Sequence, residues 1–175
     1  MKRFFAIGLV LIICFFEFFY ITDIFKVNKE SYEFKAFQKV LDESFFPVLN
    51  DAFKHLDQAA DELEDNTFLD WYLTLDGLTE NEEYQAKIEE TEKKILEEDV
   101  KGIKTIHLKK NILQQIIVLE ETFELLHNAA TDQTGEKNLK LLDSFTANIE
   151  ELTELSEQMN GIFEENIEKA LSRNR

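Results

Sequence analysis

Residues 34–63, FKAFQKVLDESFFPVLNDAFKHLDQAADEL, decide how this chain folds. Apolar side chains recur there in steps of 3, 4, 4, 3, 4, 4, 3 and 4 residues, at Phe34, Phe37, Leu41, Phe45, Val48, Ala52, Leu56, Ala59 and Leu63. The mean step of about 3.67 residues keeps these side chains on one face of a nearly straight helix. We therefore predict a helix from about residue 29 to residue 64. Pro47 should kink or briefly interrupt it, because proline has no N–H and its ring clashes with the preceding turn.

The next helical pattern begins after a predicted turn at Asp76–Gly77. Thr79 and Glu82 have the spacing of a capping box, which predicts a helix that starts at residue 80. Gly102 should bend or end this helix. Beyond it, apolar side chains follow the alternating steps of a heptad seam, at Ile112, Ile116, Leu119, Phe123, Leu126 and Ala130.

The last helix is predicted from about residue 136 to residue 171. Gly161 within it lowers the helix propensity by about 1 kcal/mol, a cost that close packing against a neighbour would explain. The 175 residues include only 5 glycines and 1 proline, too few turn residues for a sandwich or a barrel. We predict an all-α protein: an N-terminal membrane helix followed by an elongated antiparallel bundle of three long helices, or four if Gly102 ends a helix.

Phe4–Phe25, FFAIGLVLIICFFEFFYITDIF, predicts the location of the protein. As a helix this stretch would measure about 33 Å, enough to cross the hydrocarbon core of a bilayer. Lys2 and Arg3 precede it, and the positive-inside tendency places such a start in the cytoplasm. We expect residues 1–27 to be a single-pass anchor that contacts membrane lipid through residues 4–25. Residues 28–175 would then form one acidic domain outside the cell membrane.

Two other interpretations of the N-terminus agree less well with its residues. A cleaved signal needs small residues before the cleavage site, whereas the apolar run ends in Phe-Tyr-Ile-Thr-Asp. A lipoprotein anchored at Cys14 is the stronger alternative, because Leu-Ile-Ile-Cys resembles a lipobox. Ile13, however, is larger than the residue that normally precedes the modified cysteine. We favour the uncleaved anchor and keep Cys14 as a candidate lipidation site.

Glu17 is a carboxylate inside the apolar stretch, where burial near the bilayer centre would cost on the order of 3 kcal/mol. The interpretation that we favour places Glu17 at the outer interface, among neighbouring phenylalanines. The alternative is a hydrogen bond to another membrane helix, which would make Glu17 part of a partner-binding surface.

The charge of the chain restricts its partners. Its 36 acidic and 19 basic residues give a formal net charge of −17. Such a surface repels nucleic acid and anionic lipid head groups. It favours solubility, divalent cations held diffusely, or a basic partner. The single cysteine lies in the predicted anchor, so no intramolecular disulfide is expected.

Residues 65–78, DNTFLDWYLTLDGL, are too rich in large apolar side chains for one helix face. Thr67 with Asp70 has the spacing to cap a short helix. One interpretation is that the aromatic side chains plug the end of the bundle. The other is that Phe68, Trp71 and Tyr72 form a partner-binding surface, since tryptophan and tyrosine are enriched at interface hot spots.

The sequence gives little indication of catalysis or metal binding. Glu124-x-x-His127 matches half of the di-iron signature of helical bundles, but neither His55 nor His107 follows a glutamate by three residues. Asp51 and His55 have the spacing of an ordinary surface pair on a helix. We expect no cofactor, no metal and no enzymatic activity.

The favoured function is protein–protein binding at the membrane surface, in which an outward-facing bundle blocks, excludes or scaffolds a partner. One concrete version is an immunity or exclusion factor. Two alternatives remain: an extracytoplasmic bundle that senses a small ligand, and a homo-oligomeric coiled-coil spacer that uses the heptad seam.

The predicted orientation is tested by adding protease to intact cells or spheroplasts. We expect residues 28–175 to be digested while cytoplasmic control proteins survive, because the basic start retains the N-terminus inside. Full protection of the C-terminus would contradict this orientation.

Overall fold

A computed structural model of the chain describes residues 29–64, 67–131 and 138–172, and the regular structure in these ranges is entirely helical. The all-α prediction is therefore confirmed. The helices are α1 Lys29–Val40, a π-helical turn Leu41–Phe45, α2 Phe46–Glu64, α3 Phe68–Tyr72, α4 Leu75–Glu97, α5 Ile103–Thr131 and α6 Asn138–Ser172. Because α1, the π-helical turn and α2 are continuous, these ranges contain four long helical segments.

Within the ranges that the structure describes, no helix is both long enough and apolar enough to cross a membrane. The predicted anchor, with Glu17 and Cys14, lies outside these ranges.

Pro47 is accommodated by the π-helical turn that precedes it. Proline has no N–H to donate, and its ring crowds the carbonyl of the preceding turn. In the structure the Phe46 N–H donates to the carbonyl of Leu41, five residues earlier, so the backbone widens just before the proline. The Ser44 hydroxyl donates to the Val40 carbonyl at 2.6 Å. The helix consequently passes Pro47 without ending, and the predicted apolar face stays largely buried on both sides of it.

Successive long helices run antiparallel. Contacts join the start of one helix to the end of its neighbour: Glu33–Gly102 and His55–Tyr84 for α1–α2 against α4, Lys109–Leu96 and Tyr84–Phe123 for α4 against α5, and Lys104–Glu165 and Thr122–Asn148 for α5 against α6. One end of the bundle therefore holds the start of α1 and the loop at residues 98–102. The other end holds α3 and the end of α5. We call these the α1 end and the α3 end.

Helix α5 is buried on two sides, since it packs against both α4 and α6. The predicted seam from Ile112 to Leu126 is buried. A second buried set is polar and faces α6: Asn111 donates to the Leu155 carbonyl (2.9 Å), Gln115 donates to Asn111 (2.7 Å) and Ser156 donates to Gln115 (3.3 Å). The apolar pattern alone did not indicate this second set.

Gly161 is not explained by close packing, so that interpretation was wrong. A Cβ atom built on Gly161 would meet no atom within 4 Å. The residue therefore carries the entropic cost of glycine in a helix with no steric reason for it.

We expect Gly161→Ala to raise the free energy of unfolding by about 1 kcal/mol, because alanine fits the open space and restricts the unfolded chain. Urea unfolding followed by circular dichroism measures the change. Ala147→Gly, at an exposed position of the same helix, is the matched control and should lower the free energy of unfolding by a similar amount. A destabilised Gly161→Ala protein would contradict the open space at this position.

Candidate functional site

The aromatic segment forms the short helix α3, which closes one end of the bundle. Phe68 and Tyr72 are buried and Trp71 is half-buried. Their rings lie in mutual contact, with centroid distances of 5.9 Å for Phe68–Trp71, 5.4 Å for Phe68–Tyr72 and 6.2 Å for Trp71–Tyr72. The structure thus brings the three predicted side chains together. Two of them point into the core, as the plug interpretation requires.

Helix α3 begins directly after Thr67, as the capping pattern predicts, but the capping bond itself is not formed. The Thr67 hydroxyl makes no capping bond to α3 and instead donates to the Glu62 carboxylate at 2.5 Å, which ties the start of α3 to the end of α2. After α3, the Thr74 hydroxyl and N–H both donate to the Trp71 carbonyl. Helix α4 begins at Leu75, not at residue 80, so the predicted turn at Asp76–Gly77 is wrong. The turn lies at Leu73–Thr74, where α3 ends.

His55 is buried, which corrects the expectation of a surface pair with Asp51. Asp51 pairs with Lys54 at 3.1 Å instead. The His55 ring stacks on Phe123 (centroid distance 5.7 Å, interplanar angle 17°) and contacts Trp71 at 5.2 Å and Tyr84 at 5.1 Å. Aromatic rings from three other helices therefore cover His55, although His55 is not part of the predicted apolar stripe of α2.

Tyr72 joins this cluster to α5. Its hydroxyl lies 3.2 Å from His127 Nδ1, within hydrogen-bond distance. Burial, with a smaller contribution from the Glu82 carboxylate, raises the pKa of Tyr72 to about 12. His127 thus contacts a buried phenol. Among the residues described, no three histidine, cysteine or acidic side chains are grouped so that they could hold a metal ion.

The outward face of α3 is apolar as well. Leu69 and Leu73, one helical turn apart, are 46% and 66% exposed. Together they form what we call the leucine face. Sequence reasoning missed both leucines. The segment contains two apolar pairs with the i, i+4 spacing of a helix face, Phe68–Tyr72 and Leu69–Leu73. Because both pairs are apolar, hydrophobicity alone does not show which of them faces the core.

The sequence on either side of the leucine face is acidic. Residues 57–87 contain one basic residue, Lys87, against Asp57, Asp61, Glu62, Glu64, Asp65, Asp70, Asp76, Glu80, Glu82 and Glu83. Burial is the largest cause that raises the pKa of Asp57, and repulsion from the Asp61 carboxylate adds to it. A cationic partner would relieve this repulsion.

Comparisons with known proteins do not assign the chain to a class. No protein-family model, curated protein or solved structure matches it. The function must therefore be inferred from the surfaces and contacts of this molecule.

Tyr72→Phe tests the buried phenol. A pKa raised to about 12 means that the phenol stays protonated in the folded protein while it ionises in the unfolded chain, so stability is full below pH 10 and falls as the pH rises towards 12. Tyr72→Phe should lose this alkaline sensitivity. At neutral pH it should cost about 1 kcal/mol for the lost hydrogen bond.

Urea unfolding across alkaline pH measures both effects, and Tyr32→Phe, at an exposed tyrosine, is the control that should retain the wild-type pH dependence. An unchanged alkaline loss of stability in Tyr72→Phe would contradict the assignment.

Proposed function

We propose that this protein is a single-pass, outward-facing membrane protein whose helical domain binds a basic, partly apolar protein surface and performs no catalysis. The observation that carries the proposal is the leucine face: two exposed leucines, one helical turn apart, within an acidic stretch of the sequence.

The chemistry of the leucine face indicates the kind of partner. The two exposed leucines would supply the apolar centre of a small interface, and carboxylates such as the exposed Asp70 on the same helix would form its charged rim. Lysine or arginine side chains on the partner would pair with this rim. The rim would mainly speed association and exclude acidic competitors, since exposed ion pairs contribute little affinity.

The position of α3 suggests a steric mechanism. Residues 29–64 rise by roughly 50 Å along a helix, so an elongated antiparallel bundle anchored before Lys29 would hold α3 far from the membrane. A protein bound there would be kept at a fixed distance from the bilayer. Blocking, immunity or exclusion, and scaffolding are all consistent with such an arrangement.

The alternatives have less support. A coiled-coil spacer would need the α5 seam for self-association, but that seam packs inside the bundle, with Ile112, Ile116 and Phe123 fully buried. No described contact favours a small-ligand sensor over partner binding. We therefore propose protein binding at the α3 end.

Site-specific photocrosslinking in intact cells tests this function. A benzophenone amino acid replaces Leu69 in the full chain, and the matched control carries it at Ile117, which is 40% exposed against 46% for Leu69 and lies midway along α5. We expect a discrete protein adduct from position 69 and none from position 117.

The adduct should weaken in Asp57→Asn/Asp61→Asn and at raised ionic strength, because exposed charges are screened by salt. Equal adducts from both positions, or none from position 69, would refute binding at the leucine face.

A further inference from the structure

The end of the bundle opposite α3 exposes a second apolar surface. Tyr32 and Ile103 are both 68% exposed, and Leu96 lies exposed near the end of α4. Of the large apolar side chains that the structure describes as exposed, these three belong to the α1 end. Both leucines of the leucine face belong to the α3 end.

Hydrogen bonds bring together the chain segments that carry these three side chains. Glu33, next to Tyr32, accepts from the Lys101 N–H at 2.9 Å and from the Gly102 N–H at 2.7 Å, which places the start of α1 against the residue before Ile103. The Lys109 ammonium donates to the carbonyls of Leu96 (3.0 Å) and Glu98 (2.7 Å), which closes the end of α4 onto α5. The surface is therefore built from three helices.

Two ion pairs lie close to Ile103 at this end of the bundle. Lys101 bridges to Asp99 at 3.0 Å, and Lys104 bridges to Glu165 at 3.0 Å. The Gly102 N–H is the largest cause that lowers the pKa of Glu33, so this carboxylate stays ionised and bound to the loop. Paired charges around exposed apolar side chains are compatible with a zone of lipid headgroups, which a dense negative field would not be.

Chain length keeps this surface close to the bilayer if residues 4–25 span it. The four peptide units from Phe25 to Lys29 extend at most about 14 Å. The headgroup region is about 5 to 7 Å thick on each side of the hydrocarbon core. Tyr32 lies one turn into α1, and tyrosine is a side chain that favours this interface.

We infer that Tyr32, Leu96 and Ile103 dock the α1 end onto the lipid headgroup zone of the membrane that residues 4–25 enter. This inference rests on the anchoring in the proposed function and deepens it. Contact at the α1 end would stand the bundle on the membrane and point the leucine face away from it.

Lipid quenching of a fluorescent label tests this docking. The full chain, with Cys14→Ser to remove the native thiol, receives an NBD label at Ile103→Cys and is reconstituted into phosphatidylcholine vesicles that carry nitroxide on the choline headgroup. Leu73→Cys is the matched control, because Leu73 (66% exposed) and Ile103 (68% exposed) lie at opposite ends of the bundle. Circular dichroism confirms that both labelled proteins remain helical, and a label at Leu96→Cys repeats the measurement at a second position.

We expect the nitroxide lipid to quench most of the fluorescence at positions 103 and 96 and to leave the label at position 73 bright. Flotation of the vesicles separates the two ways to fail. Protein that does not float with the vesicles refutes the anchoring and the docking together. Protein that floats but is not quenched at position 103 refutes the docking alone, and so does equal quenching at positions 103 and 73. Quenching at position 103 that persists after Tyr32→Glu and Leu96→Glu would also overturn it.

Discussion

The double burial of α5 is the constraint on which the rest of the structure depends. Helix α5 packs against α1, α3, α4 and α6, so every long helical segment meets it. Its apolar seam lies in the core, and its polar residues Asn111 and Gln115 form hydrogen bonds across to α6. Apolar burial supplies most of the stabilisation, but it tolerates sliding along the helix axis. Satisfied polar groups do not tolerate sliding, and they therefore set the register of α5 against α6.

That register determines what can assemble at the α3 end. His55 stacks on Phe123 of α5, and the Tyr72 hydroxyl reaches His127 one turn further along α5. These contacts hold the buried side of α3 against α2 and α5. Leu69 and Leu73 remain exposed to solvent. A plug and a binding surface are consequently compatible, because they use opposite sides of the same short helix.

The charged side chains at the two ends of the bundle have different neighbours. On α2, burial is the largest cause that raises the pKa of Asp57, and the Asp61 carboxylate adds to it. At the α1 end, lysines pair with carboxylates or bond to main-chain carbonyls. The α1 end thus carries lysines close to Ile103, whereas residues 57–86 of the sequence contain no lysine or arginine. An attraction for cationic protein at one end and tolerance of a lipid interface at the other would follow from this difference.

The sequence by itself determined the helical class and most of the buried face of α1–α2, because a period near 3.67 residues is a property of the helix itself and is visible locally. It also predicted the α5 seam, and it left the break at Gly102 open, which the structure resolves as the loop between Glu97 and Ile103. Tertiary structure alone decided the burial of His55, because only rings from α3, α4 and α5 cover it. It likewise moved the start of α4 to Leu75, since the turn and capping signals at residues 76–82 are local preferences of about 1 kcal/mol that packing overrides. Packing against α2 and α5 decides which side of α3 is exposed to solvent. Part of that packing comes from residues distant in the sequence, so no local pattern predicts it.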